Sequence, residues 1–166
     1  MDEILTRRLR LRRAQPSDLD ALHAVLSHPT ATRYWSTLPH ATPGQTQAWL
    51  AAMIAAPSES SDDFVVELEG RVIGKAGFYR LPEIGFILHP DHWGRGLALE
   101  AASAVIARAF ARFEAPELTA DVDPRNQASL GLLTRLGFHE TGRAERTFQL
   151  GDEWCDSVYL ALKRPA

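Results

Sequence analysis

One cysteine, Cys155, is the only thiol in 166 residues. No internal disulfide can form, so the fold does not depend on an oxidising compartment. Long apolar runs are missing too. The longest candidate, residues 96–113, is interrupted by Glu100, Arg108 and Arg112, too short and too charged to span a bilayer. The opening residues MDEILTRRLRLRR carry charge throughout and no apolar h-region, so they do not read as a secretory signal. A cytoplasmic setting without membrane association is the expectation that follows. There is no basic excess: 18 Lys plus Arg stand against 21 Asp plus Glu, a net charge of −3. That balance argues against a nucleic-acid partner held by a basic surface. The two commonest phosphate loops are also lacking. No G-x-x-x-x-G-K-[ST] occurs, and after Gly94-x-Gly96 the third glycine of a G-x-G-x-x-G loop is replaced by Leu99.

What is present fits one globular domain over residues 1–166, with a hydrophobic fraction of 45% to fill its core. Residues 6–13 alternate, with Leu9 and Leu11 on one face and Arg8, Arg10 and Arg12 on the other, predicting a first strand. Ser17 is a candidate N-cap for a helix carrying Leu19, Leu22, Val25 and Leu26. A short helical turn is predicted over residues 30–35. Thr42-Pro43 predicts a second helix with a cap and proline at its first position. Glu69-Gly70 joins two β-type runs as a tight hairpin. A strand over residues 83–89 enters a turn-rich stretch, followed by a long Ala-rich helix. Then come a strand at 118–122, a helix at 126–136 closed by Gly137, and two last strands. The order predicts an α/β fold, a mixed sheet of about seven strands with helices on both faces.

The chemistry concentrates where the strand over residues 83–89 meets the helix. A helix start offers unpaired N–H groups and the positive end of its dipole, which suits phosphate oxygens. Gly94 and Gly96 let a ligand approach the backbone closely. A plain strand-to-helix turn with two glycines fits the same residues. His89 and His92 have H-x-x-H spacing without an evident third ligand, so no metal is expected. Cys155 reads as packing. Glu100, Arg108 and Arg112 read as the solvated side of the long helix.

Trp93-Gly-Arg-Gly-Leu-Ala98 resembles the pyrophosphate loop of the GNAT acetyltransferases, [Q/R]-x-x-G-x-[G/A], with Trp93 in place of the first Gln or Arg. W-G-x-G-x-A is common in the RimJ/RimL-like branch, which acetylates protein N-termini. Thr6-Arg-Arg-Leu-Arg-Leu-Arg12, Asn126-Gln-Ala-Ser129 with Leu136-Gly-Phe138, and Trp154-x-Asp156 also resemble that branch, in the same order. The resemblance implies a GNAT fold and acetyl transfer from acetyl-CoA to a primary amine, a protein N-terminus first or a small-molecule amine. It implies a monomer or homodimer, and acetyl-CoA in a gap between two central strands. Backbone groups of Ile87, Leu88 and His89 would then pair with the pantetheine arm. Amides of Trp93, Gly94, Arg95, Gly96, Leu97 and Ala98 would hold the pyrophosphate, and Asn126 would touch the arm or serve only as an N-cap. The same resemblance makes Glu83 the general base, or else an exposed strand-end carboxylate, with Asp121 and Asp123 as alternatives. Leu133 stands where many members carry an acidic tyrosine; Ser129, one turn earlier, would position or protonate the thiol. Tyr34 and Trp35 would line the acceptor cleft. A non-catalytic acyl-CoA-binding module is the rival reading.

Overall fold

The computed structural model describes residues 2–166. One eight-stranded mixed sheet forms its centre. The strands are β1 (Glu3–Leu5), β2 (Leu9–Arg12), β3 (Asp62–Leu68), β4 (Arg71–Arg80), β5 (Glu83–Leu88), β6 (Glu117–Val122), β7 (His139–Leu150) and β8 (Glu153–Lys163). Their order is β1-β2-β3-β4-β5-β6-β8-β7. The helices are α1 (Leu19–Leu26), α2 (Pro43–Ala55), α3 (Leu97–Arg112) and α4 (Gln127–Arg135). Among the described residues, no helix is long and apolar enough to cross a membrane.

Alternation along the strands sends side chains to two cores. Leu11, Phe64, Phe78 and Leu118 are fully buried on the face covered by α3 and α4. On the other face, Val65 packs with Leu22, Leu50 and Met53, and Ile87 with Val25 and Leu26, from α1 and α2. The Thr42 cap forms as the sequence predicts: its hydroxyl accepts the Gln45 N–H, and the Gln45 side chain reaches back to the Thr42 N–H.

Three local expectations change. The first strand begins as a hairpin: Thr6 N–H bonds the Leu9 carbonyl, and β1 doubles back on β2, so the sheet gains an eighth strand. Ser17 is exposed and not the cap. A single 3-10 turn, Pro16–Asp18, precedes α1, and the Asp18 carboxylate accepts the Gln15 N–H at 2.7 Å while holding Arg12 in a two-pronged pair. Residues 30–35 form hydrogen-bonded turns rather than a helix, with Thr32 N–H on the His28 carbonyl and Trp35 N–H on the Thr32 carbonyl.

The charged residues of α3 are not merely solvated. Arg108 and Arg112, with Arg13 from the end of β2, converge on the wholly buried carboxylate of Asp62 at 3.0, 2.6 and 2.7 Å. Glu100 binds Thr6 and Arg8.

Candidate active site

β5 and β6 run parallel but pair at one register position only, Glu83 with Thr119. Beyond it the strands diverge, and a groove of about 1080 Å³ opens between β5, the start of α3 and one face of α4. The ladder with β4 determines which backbone groups face this groove. His89 N–H donates to the Ile73 carbonyl at 2.8 Å. The Ile87 oxygen also lies on the β4 side, where a Cβ added to Gly74 would stand 2.0 Å from it. Antiparallel alternation therefore turns the peptide groups of Phe86 and Leu88 towards the gap. Of the expected trio, Ile87 and His89 thus turn backbone groups to β4, whereas Leu88, like Phe86, turns its own to the groove side.

Trp93, at the place of the usual Gln or Arg, has a structural task. Its indole Nε1–H donates to the Leu88 carbonyl at 2.9 Å, tying the turn to the strand end. Gly94 and Gly96 both take left-handed φ, 75° and 73°, a region costly for any side chain. Gly96 is the N-cap of α3, and the first helical bond runs from Glu100 N–H to its carbonyl at 3.1 Å. The N–H groups of Leu97, Ala98 and Leu99 thus have no acceptor within the helix, and all three residues line the groove. Arg95 is exposed and outside the groove wall; its carbonyl accepts from Arg8 Nη1 at 2.8 Å.

On α4, Asn126 is an N-cap that also grips Ser129. Its Oδ1 accepts the Ser129 N–H at 3.2 Å and its Nδ2 donates to Ser129 Oγ at 3.0 Å. The Ser129 oxygen is an acceptor in that bond, so its own proton remains available to donate into the groove. Leu133 is buried, at 1% exposure, in the core behind it.

A smaller cavity of about 90 Å³ adjoins the groove and shares Tyr34, Trp35, Phe86, Asn126 and Ser129 with it. Asp121 and Asp123 line it; Glu83 does not. Asp123 is engaged by both Nε and Nη2 of Arg125, whose hydrogen bonds hold its carboxyl below the usual range. Asp121 carries no such clamp. Glu83 shares its sheet face, two residues from Gly85; it is exposed at the strand end, yet partial desolvation followed by the Asp121 charge raises its carboxyl above the ordinary 4.5. A carboxyl whose folded value lies above its unfolded one binds more protons in the fold, so stability is lost as pH rises through that window. Glu83→Gln removes this loss. Its melting temperature is expected to gain on wild type as pH rises through that ionisation, and a constant difference would contradict the raised carboxyl.

Sequence reasoning missed Arg33, Arg125 and Arg135 and weighed His92 only as a metal ligand; all four line the groove. Arg33 and Arg125 stack on Tyr34, 4.7 and 5.5 Å from its ring centre. His28 adjoins His89 edge-on, ring centres 5.1 Å apart. Among the described residues, no group of three or more His, Cys, Asp or Glu is placed to hold a metal. Cys155 is packed in β8, and burial pushes its thiol up.

The acetyltransferase (GNAT) domain model matches residues 8–139. The chain belongs to the GNAT acetyltransferase family. Within it, this GNAT protein is similar to the N-acetyltransferase p20 of Bacillus licheniformis, 30% identical over 151 residues, covering 86% of this chain and 85% of that one. The spermidine N(1)-acetyltransferase of Escherichia coli K12 is 25% identical over 163 residues, 93% and 85% of the two chains. A GNAT-family acetyltransferase structure from Bacillus anthracis superposes with a TM-score of 0.84 at 24% identity, over 98% of each chain. RimL, a ribosomal L7/L12 α-N-protein acetyltransferase solved with coenzyme A, gives 0.83 at 17% identity over 96% of each. These two likenesses are of fold.

Proposed function

We propose that this GNAT protein moves the acetyl group of acetyl-CoA directly to a primary amine, without an acyl-enzyme. The observation that carries the reading is the strand gap itself. β5 stops pairing with β6 after Glu83, and the gap so opened runs along β5 to a helix start with unpartnered amides. The free peptide groups of Phe86 and the N–H of Leu88, whose carbonyl is taken by Trp93, suit the amide-bearing pantetheine arm, and the α3 start suits the pyrophosphate. The bound coenzyme supplies the thioester. The amine attacks its carbonyl carbon, the C–S bond breaks, and the ammonium proton must leave.

The chain's residues divide that work. Asp121 in the smaller cavity takes the proton, directly or through water, and Glu83 beside it shares the charge. Ser129, fixed by Asn126, donates its hydroxyl to the departing sulfur. Tyr34 and Trp35 wall the acceptor entrance. The W-G-R-G-L-A loop supports the RimJ/RimL-like branch, and with it a protein N-terminal α-amine as first acceptor. A similar enzyme named for spermidine keeps small amines as the second.

Coenzyme A is expected to stabilise the fold by about 2.7 kcal/mol at about 100 times its dissociation constant. NAD and ATP should shift melting much less. Gly96→Glu puts a side chain on a left-handed position and a negative charge at the phosphate site; the folded variant should show no coenzyme A shift. Thiol release from acetyl-CoA across N-terminal peptides and polyamines then tests transfer. No melting shift in wild type would remove the cofactor reading. A shift with no thiol release from any amine would favour a binding module.

A further inference from the structure

The α3 start is joined to the far end of the sequence by a bonded cluster that the sequence reading placed in solvent. Glu100, in the first turn of α3, accepts from Thr6 Oγ1 at 2.6 Å, from the Arg8 N–H at 2.8 Å and from Arg8 Nε at 2.7 Å. Arg8 Nη1 donates to the Arg95 carbonyl at 2.8 Å. The guanidinium is therefore held on two sides. Its remaining amine, Nη2, lies 3.6 Å from where a Cβ on Gly96 would stand. No protein acceptor pairs with that Nη2 among the described residues.

We propose that Arg8 is a cofactor-binding residue, its fixed guanidinium presenting Nη2 to the pyrophosphate beside Gly96. This rests on the proposed placement of coenzyme A in the groove. The physical case has two parts. A helix start with free amides attracts an anion, but Glu100 sits within the same turn and would repel it. Arg8 neutralises Glu100 and still keeps a charged donor without a protein acceptor beside Gly96, at the rim of the groove wall. Arginine suits this better than lysine, because its planar fork holds several acceptors at once. The clamp also sets the guanidinium before the ligand arrives, so little side-chain freedom remains to be lost on binding.

Arg8→Gln and Glu100→Gln separate binding from mere support. Calorimetry with coenzyme A, and ligand-observed NMR with pantetheine, which lacks every phosphate, supply the readouts. Arg8→Gln is expected to weaken coenzyme A about ten- to a hundredfold, the size of a lost charged hydrogen bond. Pantetheine affinity should stay within twofold of wild type. Glu100→Gln, which removes a negative charge near the phosphates, should keep coenzyme A affinity within threefold. Circular dichroism and melting establish that each variant is folded. Arg8→Gln with wild-type coenzyme A affinity would overturn the inference. So would equal losses for coenzyme A and pantetheine, or a Glu100→Gln loss as large as that of Arg8→Gln, because either marks a structural clamp. Wild type that binds no coenzyme A would instead overturn the reading of the groove, and this inference with it.

Discussion

Asp121→Asn is expected to lower kcat by about 10²–10⁴-fold with an accepted amine, the range for losing a general base. Glu83→Gln should also lower it, but less. The reason is position: Asp121 lines the cavity shared with Ser129 and Tyr34, whereas Glu83 stands behind it at the last paired rung of β5 and β6. Gly85, level with Asp121 in that register, offers no side chain to separate them. Both variants keep shape and remove basicity. Coenzyme A affinity should hardly move in either, since the proposed phosphate site lies at the other end of β5. Both deficits should shrink at high pH. A lysine-type amine has a pKa of about 10.4 and an α-amine about 7.7–8.0, so the acceptor then arrives neutral. In wild type the raised Glu83 carboxyl must lose its proton to help, so kcat should rise with pH through that ionisation. A pH–rate profile of the three proteins checks all of this. Equal rates for wild type and Asp121→Asn at every pH would remove Asp121 from the chemistry. A larger deficit in Glu83→Gln would restore Glu83 as the primary base.

Asp62→Ala is expected to cost about 3 kcal/mol of stability, at the low end of the range for breaking a buried ion pair. Three guanidiniums would lose one shared counter-charge. The discount reflects their own exposure, since Arg13, Arg108 and Arg112 remain 32%, 20% and 32% accessible. For a chain of this size the melting temperature should fall by roughly 6–12 °C. Denaturant melts of the Asp62 variant and of the single arginine variants measure it. A change under 1 kcal/mol would show that water fully replaces the carboxylate. Replacing one arginine should cost less than replacing Asp62, because the other two still satisfy the carboxylate.

The sequence by itself determined what contiguous residues can encode. Period-two alternation located the first strand and β-type runs between turns the others, Thr42-Pro43 and Asn126 marked helix starts, and Glu69-Gly70 and Gly94-x-Gly96 marked turns whose backbone needs positive φ. The family was also legible, because its motifs are short and local. Tertiary structure alone decided the pairings between distant segments. Thr6 and Arg8 meet Glu100 across more than ninety residues, and Arg13 meets Asp62 across forty-nine. An arginine on an alternating strand looks solvated until a partner strand or helix is placed against it. The same holds for the carboxylates. Glu83, Asp121 and Asp123 are indistinguishable as letters. Arg125 occupies Asp123, the β5–β6 register puts Asp121 at the cavity, and the end of pairing leaves Glu83 behind it. Sheet register is a global property, set by which faces are buried, so no local signal carries it.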